Sequence, residues 1–285
     1  MVRNQIILRT GVALLAFAGN SLLCRLALKS TTIDAASFTS LRLISASLAL
    51  WLLVKLTNTH TSSLGDWPSA AALFVYAATF SMAYVNLAAG TGALLLFGAV
   101  QMTMIGTGLF RGERFNTLQL AGLGLAAAGL IYLVLPGLAA PPPLSASLMI
   151  TAGIAWGIYS LRGRTSTDPL TTTAGNFLRT LPFTCLFSLL FMSHAVIDLP
   201  GGLFAVASGI ITSGLGYAIW YSVLPSLKAT QAATLQLSVP VIAALGAITL
   251  LGEQLSFQLI LASVAILCGI WLVIKQKNNV APTKA

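Results

Sequence analysis

A chain of 285 residues in which 57% are hydrophobic and 7% charged, with mean hydropathy +0.90, lies far outside the range of water-soluble domains and belongs in a bilayer. Its 15 Lys and Arg against 6 Asp and Glu give a formal net charge of +9. The basic residues gather into no patch with interleaved aromatics, so no nucleic-acid partner is expected and the lipid bilayer stands in its place.

A hydrocarbon core about 30 Å thick takes roughly 20 apolar residues per helix. The chain divides into ten such segments, at 9–28, 34–56, 68–88, 90–110, 116–135, 144–163, 170–191, 200–223, 230–251 and 256–275. The first follows Arg3 and Arg9, lacks a small-residue cleavage site and is succeeded by many more apolar runs, so it reads as a helix and not as a removed signal. Asn20 lies in its middle. The second contains FTSLRLISASLALWLL (38–53) and holds Arg42 roughly 12 Å deep at 1.5 Å per residue. Arg179, in the seventh, lies at a comparable depth from the opposite face. Two readings of these arginines are open. Side chains lean toward the N-terminus of their own helix, which allows both to snorkel to headgroups. Alternatively both face a cavity and meet an anionic group through bidentate hydrogen bonds.

The third segment carries Phe80 and Tyr84, the sixth Trp156 and Tyr159. In the eighth, SGLGYAIWYSVLP (213–225) sets Tyr217, Trp220 and Tyr221 at i, i+3 and i+4, one helix face. Tyr84, Trp156, Tyr159, Tyr217 and Tyr221 are therefore candidates to line a substrate path, against the alternative that Tyr and Trp gather at membrane interfaces. Gly214 and Gly216 weaken the eighth helix just before that face, and Pro182 and Pro240 interrupt the seventh and ninth spans; Gly214, Gly216 and Pro240 are the hinge candidates. Among the amides and hydroxyls inside spans, Asn20, Asn86, Gln101, Asn176, Thr234 and Gln236, the preferred cavity candidates are Asn20 and Gln236, which lies one turn before Pro240. Interhelical packing is the competing fate of such groups.

Cys24, Cys185 and Cys268 show no paired spacing, His60 and His194 fall in loops, and Asp34, Asp66, Asp168 and Asp198 lie at span ends or between spans. Glu113 and Glu253 sit at the junctions before the fifth and tenth helices, where carboxylates suit helix N-termini. No metal site, cofactor or catalytic constellation is indicated, and an enzyme is not expected. Transport without an obligatory proton is expected for the same reason, since no carboxylate or histidine sits within a span.

With the N-terminus inside, Arg3, Arg9, Lys55, Arg111, Arg114, Arg162, Arg164, Lys228, Lys275, Lys277 and Lys284 fall on the cytoplasmic side and only Arg25 and Lys29 outside. Both termini are then cytoplasmic, in a membrane expected to be the bacterial inner one. Compared with itself at a shift of 137, the chain aligns Arg25 with Arg162, Arg42 with Arg179 and Tyr84 with Tyr221; at 140 it aligns Gly112-Glu113 with Gly252-Glu253 and Gly129 with Gly269. Five helices per repeat is an odd number, so residues 1–140 and 141–285 form two five-helix repeats of inverted topology, enclosing a site near the midplane.

The segments GERFNTLQLAGLGLAAAG (112–129) and GEQLSFQLILASVAILCG (252–269), the latter preceded by LSVPVIAALGAITLL (237–251), resemble the EamA family of the drug/metabolite transporter superfamily. The likeness covers essentially the whole chain, although Val100 stands where the second half has Pro240. It implies ten helices, cytoplasmic termini and export of small metabolites; some members, the YddG-like exporters, carry aromatic amino acids. The resulting expectation is an all-α integral membrane protein that exports small amphipathic molecules by alternating access, amino acids with aromatic or large hydrophobic side chains first among them. A multidrug or other-metabolite exporter is the alternative within that class. A lipid-handling protein or scramblase is the alternative outside it, and would show a polar groove open to lipid. Oligomeric state is not read from the sequence.

Overall fold

The computed structural model describes residues 3–57, 65–110, 112, 115–135, 140–164, 166, 168–227 and 235–277. His60, Arg111, Glu113, Arg114, Lys228, Thr234 and Lys284 lie outside the described residues. Among the described residues there are helices and turns and no strand. Ten helices have 14 residues or more: α1 (Arg3–Ser30), α2 (Ala35–Leu56), α3 (Trp67–Tyr84), α4 (Ala89–Phe110), α5 (Thr117–Val134), α6 (Pro143–Gly163), α7 (Pro169–Leu190), α8 (Leu199–Val223), α9 (Ser238–Leu251) and α10 (Phe257–Lys277). By length and composition α1, α2, α4, α5, α6 and α8 are each apolar enough to cross a membrane. The protein is an all-α integral membrane protein of two inverted five-helix repeats.

Short polar residues set the helix starts. Asp34 accepts from the Ala36 and Ser37 amides at the head of α2, Asp66 from Ser69 at α3 and Asp168 from Thr171 at α7, each meeting donors that the first turn leaves unpaired. Asn116 and Gln119 form a reciprocal capping box at α5. Glu253 behaves otherwise than expected. Its carboxylate accepts the Ala89 amide at 2.7 Å and so caps α4, and not the helix that follows it in sequence.

The packing repeats across the halves. α2 packs on α7, α4 on α9 and α5 on α10; the contacts of α3 with α6 and α7 and of α4 with α6 are matched by those of α8 with α1 and α2 and of α9 with α1. Adding five to a helix number maps each principal pair onto another or onto itself. The α5–α10 pair is the most extensive. A Cβ on Gly122 would lie 2.6 Å from the Gly269 carbonyl oxygen, and one on Gly269 as close to the Gly122 carbonyl, so the backbones touch with nothing between them.

Two helices depart from the expected spans. The ninth is not one unbroken run from 230: Leu237 is a turn and α9 begins at Ser238, which puts Pro240 in its first turn, not its interior. The reason is steric, because the proline ring clashes with the carbonyl four residues back, at Gln236, and a helix tolerates proline only at its start. In α8 the winding loosens to π over Ser208–Leu215 between α-helical ends. Gly214 lies inside the π segment and Gly216 immediately after it.

Candidate functional site around Arg42

Arg42 is 1% exposed and points into the protein, not toward headgroups. Two helices, α3 and α8, hold its guanidinium. Nε donates to Ser213 Oγ of α8 at 2.9 Å, and Nη2 donates to Tyr76 OH of α3 at 3.2 Å and to Tyr217 OH of α8 at 3.3 Å. The cation also lies over two rings, 5.3 Å from the centroid of Tyr76 and 5.1 Å from that of Phe80. Nη1 is buried and has no hydrogen-bond partner. The ion pairs Arg25–Glu253 and Arg162–Asp66 do not include Arg42.

The π segment explains how one helix supplies so many groups. In α-helical winding residues i and i+4 share a face, whereas in π winding i+5 comes round over i. Ser208, Thr212 and Ser213 therefore all face the protein interior. Ser208 Oγ and Thr212 Oγ1 donate to Asn20 Oδ1 of α1 at 2.7 and 3.2 Å, and Asn20 Nδ2 donates to Tyr76 OH at 3.0 Å. Gly209 permits the close approach behind this, since a side chain there would strike Ser45 and the Arg42 backbone.

An aromatic wall surrounds the polar cluster. Trp156 of α6 lies at its centre, 4.7 Å from Tyr217, 4.9 Å from Tyr76, 5.5 Å from Tyr159 and 5.9 Å from Phe17. Phe17, Asn20, Tyr76, Phe80, Leu96, Phe97, Trp156 and Tyr217 enclose a cavity of about 10 Å³, which is about room for one water, so the site is closed around itself. Ring contacts continue toward both ends of the bundle. Phe80 meets Tyr84 edge-on at 4.7 Å, and Tyr159 meets Tyr221 at 6.1 Å.

The ends differ. At one, the Arg25 guanidinium donates to the Tyr84 and Val85 carbonyls and pairs with Glu253 at 3.2 Å, and Asp34 accepts the Val196 amide, which ties the α1–α2 and α7–α8 connections together. At the other, a pocket of about 210 Å³ is lined by Gly163, Arg164, Ser166, Pro169, Tyr221, Leu224 and Leu227. The buried Tyr221 hydroxyl has no partner there. Arg162 donates to Ser69 and Asp66 at this end, and Asn176 accepts the Asp66 amide. Burial pushes the Asp66 carboxyl up, but the hydrogen bonds from Ser69 and the Arg162 guanidinium outweigh it and hold the group below its ordinary value. Asp34 is likewise held low: its burial is outweighed by donors from Ser37, Val196 and Ala36.

Asn20, Trp156 and Tyr217 thus line one cavity, and Arg42 lies against three of its lining residues, Tyr76, Phe80 and Tyr217, with Tyr159 behind Trp156 and Tyr84 and Tyr221 at the two ends of the aromatic run. Arg179 stands apart: half-buried, it donates to the Gly175 carbonyl at 3.4 Å and lies 5.9 Å from the Trp67 centroid. Gln236 is buried with Oε1 unpartnered, and none of its hydrogen bonds reaches the Arg42 cluster. Tyr76, Ser213, Ser208, Thr212 and Phe17 belong to the site without having been singled out from sequence. A signal existed for Tyr76, which precedes Phe80 and Tyr84 by one and two turns on the same face of α3.

The larger grooves on the outer surface are of another kind. One of about 600 Å³ between α2 and α8 and one of about 360 Å³ among α4, α9 and α10 are lined almost wholly by aliphatic side chains.

Comparison with other proteins accords with this architecture. Residues 143–275 match the EamA-like transporter family. An uncharacterized protein of Pseudomonas aeruginosa is 54% identical over 275 residues, covering 96% of either chain. A Salmonella typhimurium protein named "Probable amino-acid metabolite efflux pump" is 27% identical over 213 residues, 69% of this chain and 71% of that one. A solved crystal structure superposes with TM-score 0.67 at 16% identity over 98% of this chain and all of the other, which shows a shared fold.

Proposed function

Since the chain belongs to the EamA-like transporter family, we propose that it is a secondary exporter of small amphipathic metabolites, foremost amino acids with aromatic or large hydrophobic side chains, working by alternating access about the Arg42 cavity. The observation that carries this reading is the buried guanidinium with an unpartnered nitrogen, set in an aromatic enclosure. A permanent charge in the membrane interior is costly, and it is retained where a function uses it. Arg42 takes the carboxylate of the cargo; Phe17, Trp156 and Tyr217 take its apolar part. The name of the Salmonella relative supports the amino-acid class.

Residues 1–140 and 141–285 act as the two inverted repeats, with both termini cytoplasmic in the bacterial inner membrane. In that orientation the Arg25–Glu253 pair and Tyr84 close the outer end. The pocket floored by Tyr221 opens to the cytoplasm, where a cargo for export enters. Cargo runs down its own gradient or exchanges, because among the described residues no Asp or Glu lies inside a helix. The test is counterflow of labelled phenylalanine and leucine in proteoliposomes. Saturable exchange that persists with a protonophore and is lost in Arg42→Gln is the expected result; absence of exchange for every aromatic and large aliphatic amino acid rejects the reading.

A further inference from the structure

We infer that the site selects by charge: it prefers an amphipathic monoanion, a carboxylate on an aromatic or large apolar group without a free amine, to the zwitterion of the same skeleton, and it excludes cations. This rests on the reading above that Arg42 meets the cargo, and it moves first place among the cargoes from the amino acids named there to amine-free carboxylates of the same skeleton.

The hydrogen-bond inventory points to a missing acceptor. Arg42 has five N–H donors and places three, on Ser213, Tyr76 and Tyr217. The Tyr76 oxygen has two lone pairs and faces three donors, from Asn20, Arg42 and Tyr217. The Asn20 carbonyl oxygen is filled by Ser208 and Thr212. Donors exceed acceptors at the Arg42 guanidinium and at the Tyr76 hydroxyl. A carboxylate brings two oxygens with about four lone-pair sites and no donor, so it supplies what the cluster lacks.

Charge balance points the same way. With a monoanion bound the enclosure is neutral. A zwitterion neutralises Arg42 but adds an ammonium that finds no carboxylate, and a lone cation leaves two positive charges in one low-dielectric space. The rings offer limited relief, because Arg42 itself lies over Tyr76 and Phe80. The ammonium therefore brings a desolvation cost with no ionic partner to offset it.

Four compounds with one ring and similar chain length separate these terms: 3-phenylpropionate, phenylalanine, 3-phenylpropionamide and 2-phenylethylamine. Initial rates are measured in proteoliposomes of the intact protein, and binding by shift of the thermal transition in detergent. The expected order is the anion at least about tenfold above phenylalanine in kcat/KM, the amide below the anion, and the amine without transport or shift. In Arg42→Gln the anion loses at least about tenfold more than the amide, so that the two converge; should that variant fail to fold, the wild-type series decides by itself. Phenylalanine carried as well as or better than the anion, or amine carried at the anion's rate, overturns charge selection and leaves the exporter reading standing. If no compound of the four is carried or shifts the transition, both fall.

Discussion

Arg42 and Arg179 stand 137 positions apart, at matching places in α2 and α7, and end in different surroundings. Arg42 is clasped by residues that are themselves repeat partners. Tyr76 and Ser213 are 137 apart and both accept from its guanidinium; Phe80 and Tyr217 are 137 apart, one beneath its plane and one on its Nη2. The cation therefore lies between equivalent groups of the two halves, close to the axis that relates them. An axis has room for one such cation, since a second guanidinium a few ångströms away would meet strong repulsion in a medium of low dielectric. Arg179 turns instead to its own helix and to Trp67. A fold with internal symmetry thus carries an asymmetric site because charge, unlike an apolar side chain, cannot be doubled at a point.

Substituting the two arginines in parallel breaks or sharpens this contrast most directly. Arg42→Gln is expected to lower kcat/KM for a carboxylate cargo about 100-fold, the upper range for charge-assisted contacts, and Arg179→Gln by less than about threefold. Equal losses in proteoliposome rates would erase the distinction between centre and periphery. Next in size are the clasping pair, Tyr76→Phe and Ser213→Ala, each expected to cost about tenfold by leaving a buried charged donor short of an acceptor. Loss in only one of them would move the cation off the axis. Smaller again is the tyrosine comparison: Tyr217→Phe removes a bonded hydroxyl and should cost about fivefold, whereas Tyr221→Phe removes one without a partner and should change rates by less than about twofold.

The smallest effect is in acid. Asp66 and Asp34 have depressed folded-state values, so each contributes stability that is present above the unfolded carboxylate value near 4 and is lost as pH falls through the folded one. Asp66 lies at the head of α3, paired with Arg162, and not beside Arg42. Thermal transitions measured from pH 6 down to 3 should fall in the wild type and fall less steeply in Asp66→Asn. A wild-type curve that stays flat would contradict the assignment of that carboxylate as a native-state anion.

How much of this was legible beforehand follows from what hydropathy encodes. Apart from the starts of α1 and α9, the helices lie within a few residues of the apolar runs, because bilayer thickness dictates their length. Asn20, Arg42, Trp156 and Tyr217 were visible as expensive groups in such runs. Which way Arg42 turned was not, because a helix apolar all round has no polar face to orient it. Tyr76 is marked by its spacing of one and two turns from Phe80 and Tyr84, whereas Ser213 is hidden because its place on the inner face depends on π winding, which leaves no periodic trace. Pro240 is visible in the sequence as a break in the ninth span, and the structure places it in the first turn of α9.

The seam of Gly122 and Gly269 carries a mechanical consequence. Helices that meet through interlocked side chains can slide by exchanging rotamers, as a ratchet moves by teeth. At the Gly122–Gly269 crossing carbonyl faces backbone with no side chain between, so there are no teeth to exchange at that point, and any separation opens a void there. α5 and α10 are thus pinned to each other where the two halves meet, and sliding of one along the other is resisted at that crossing.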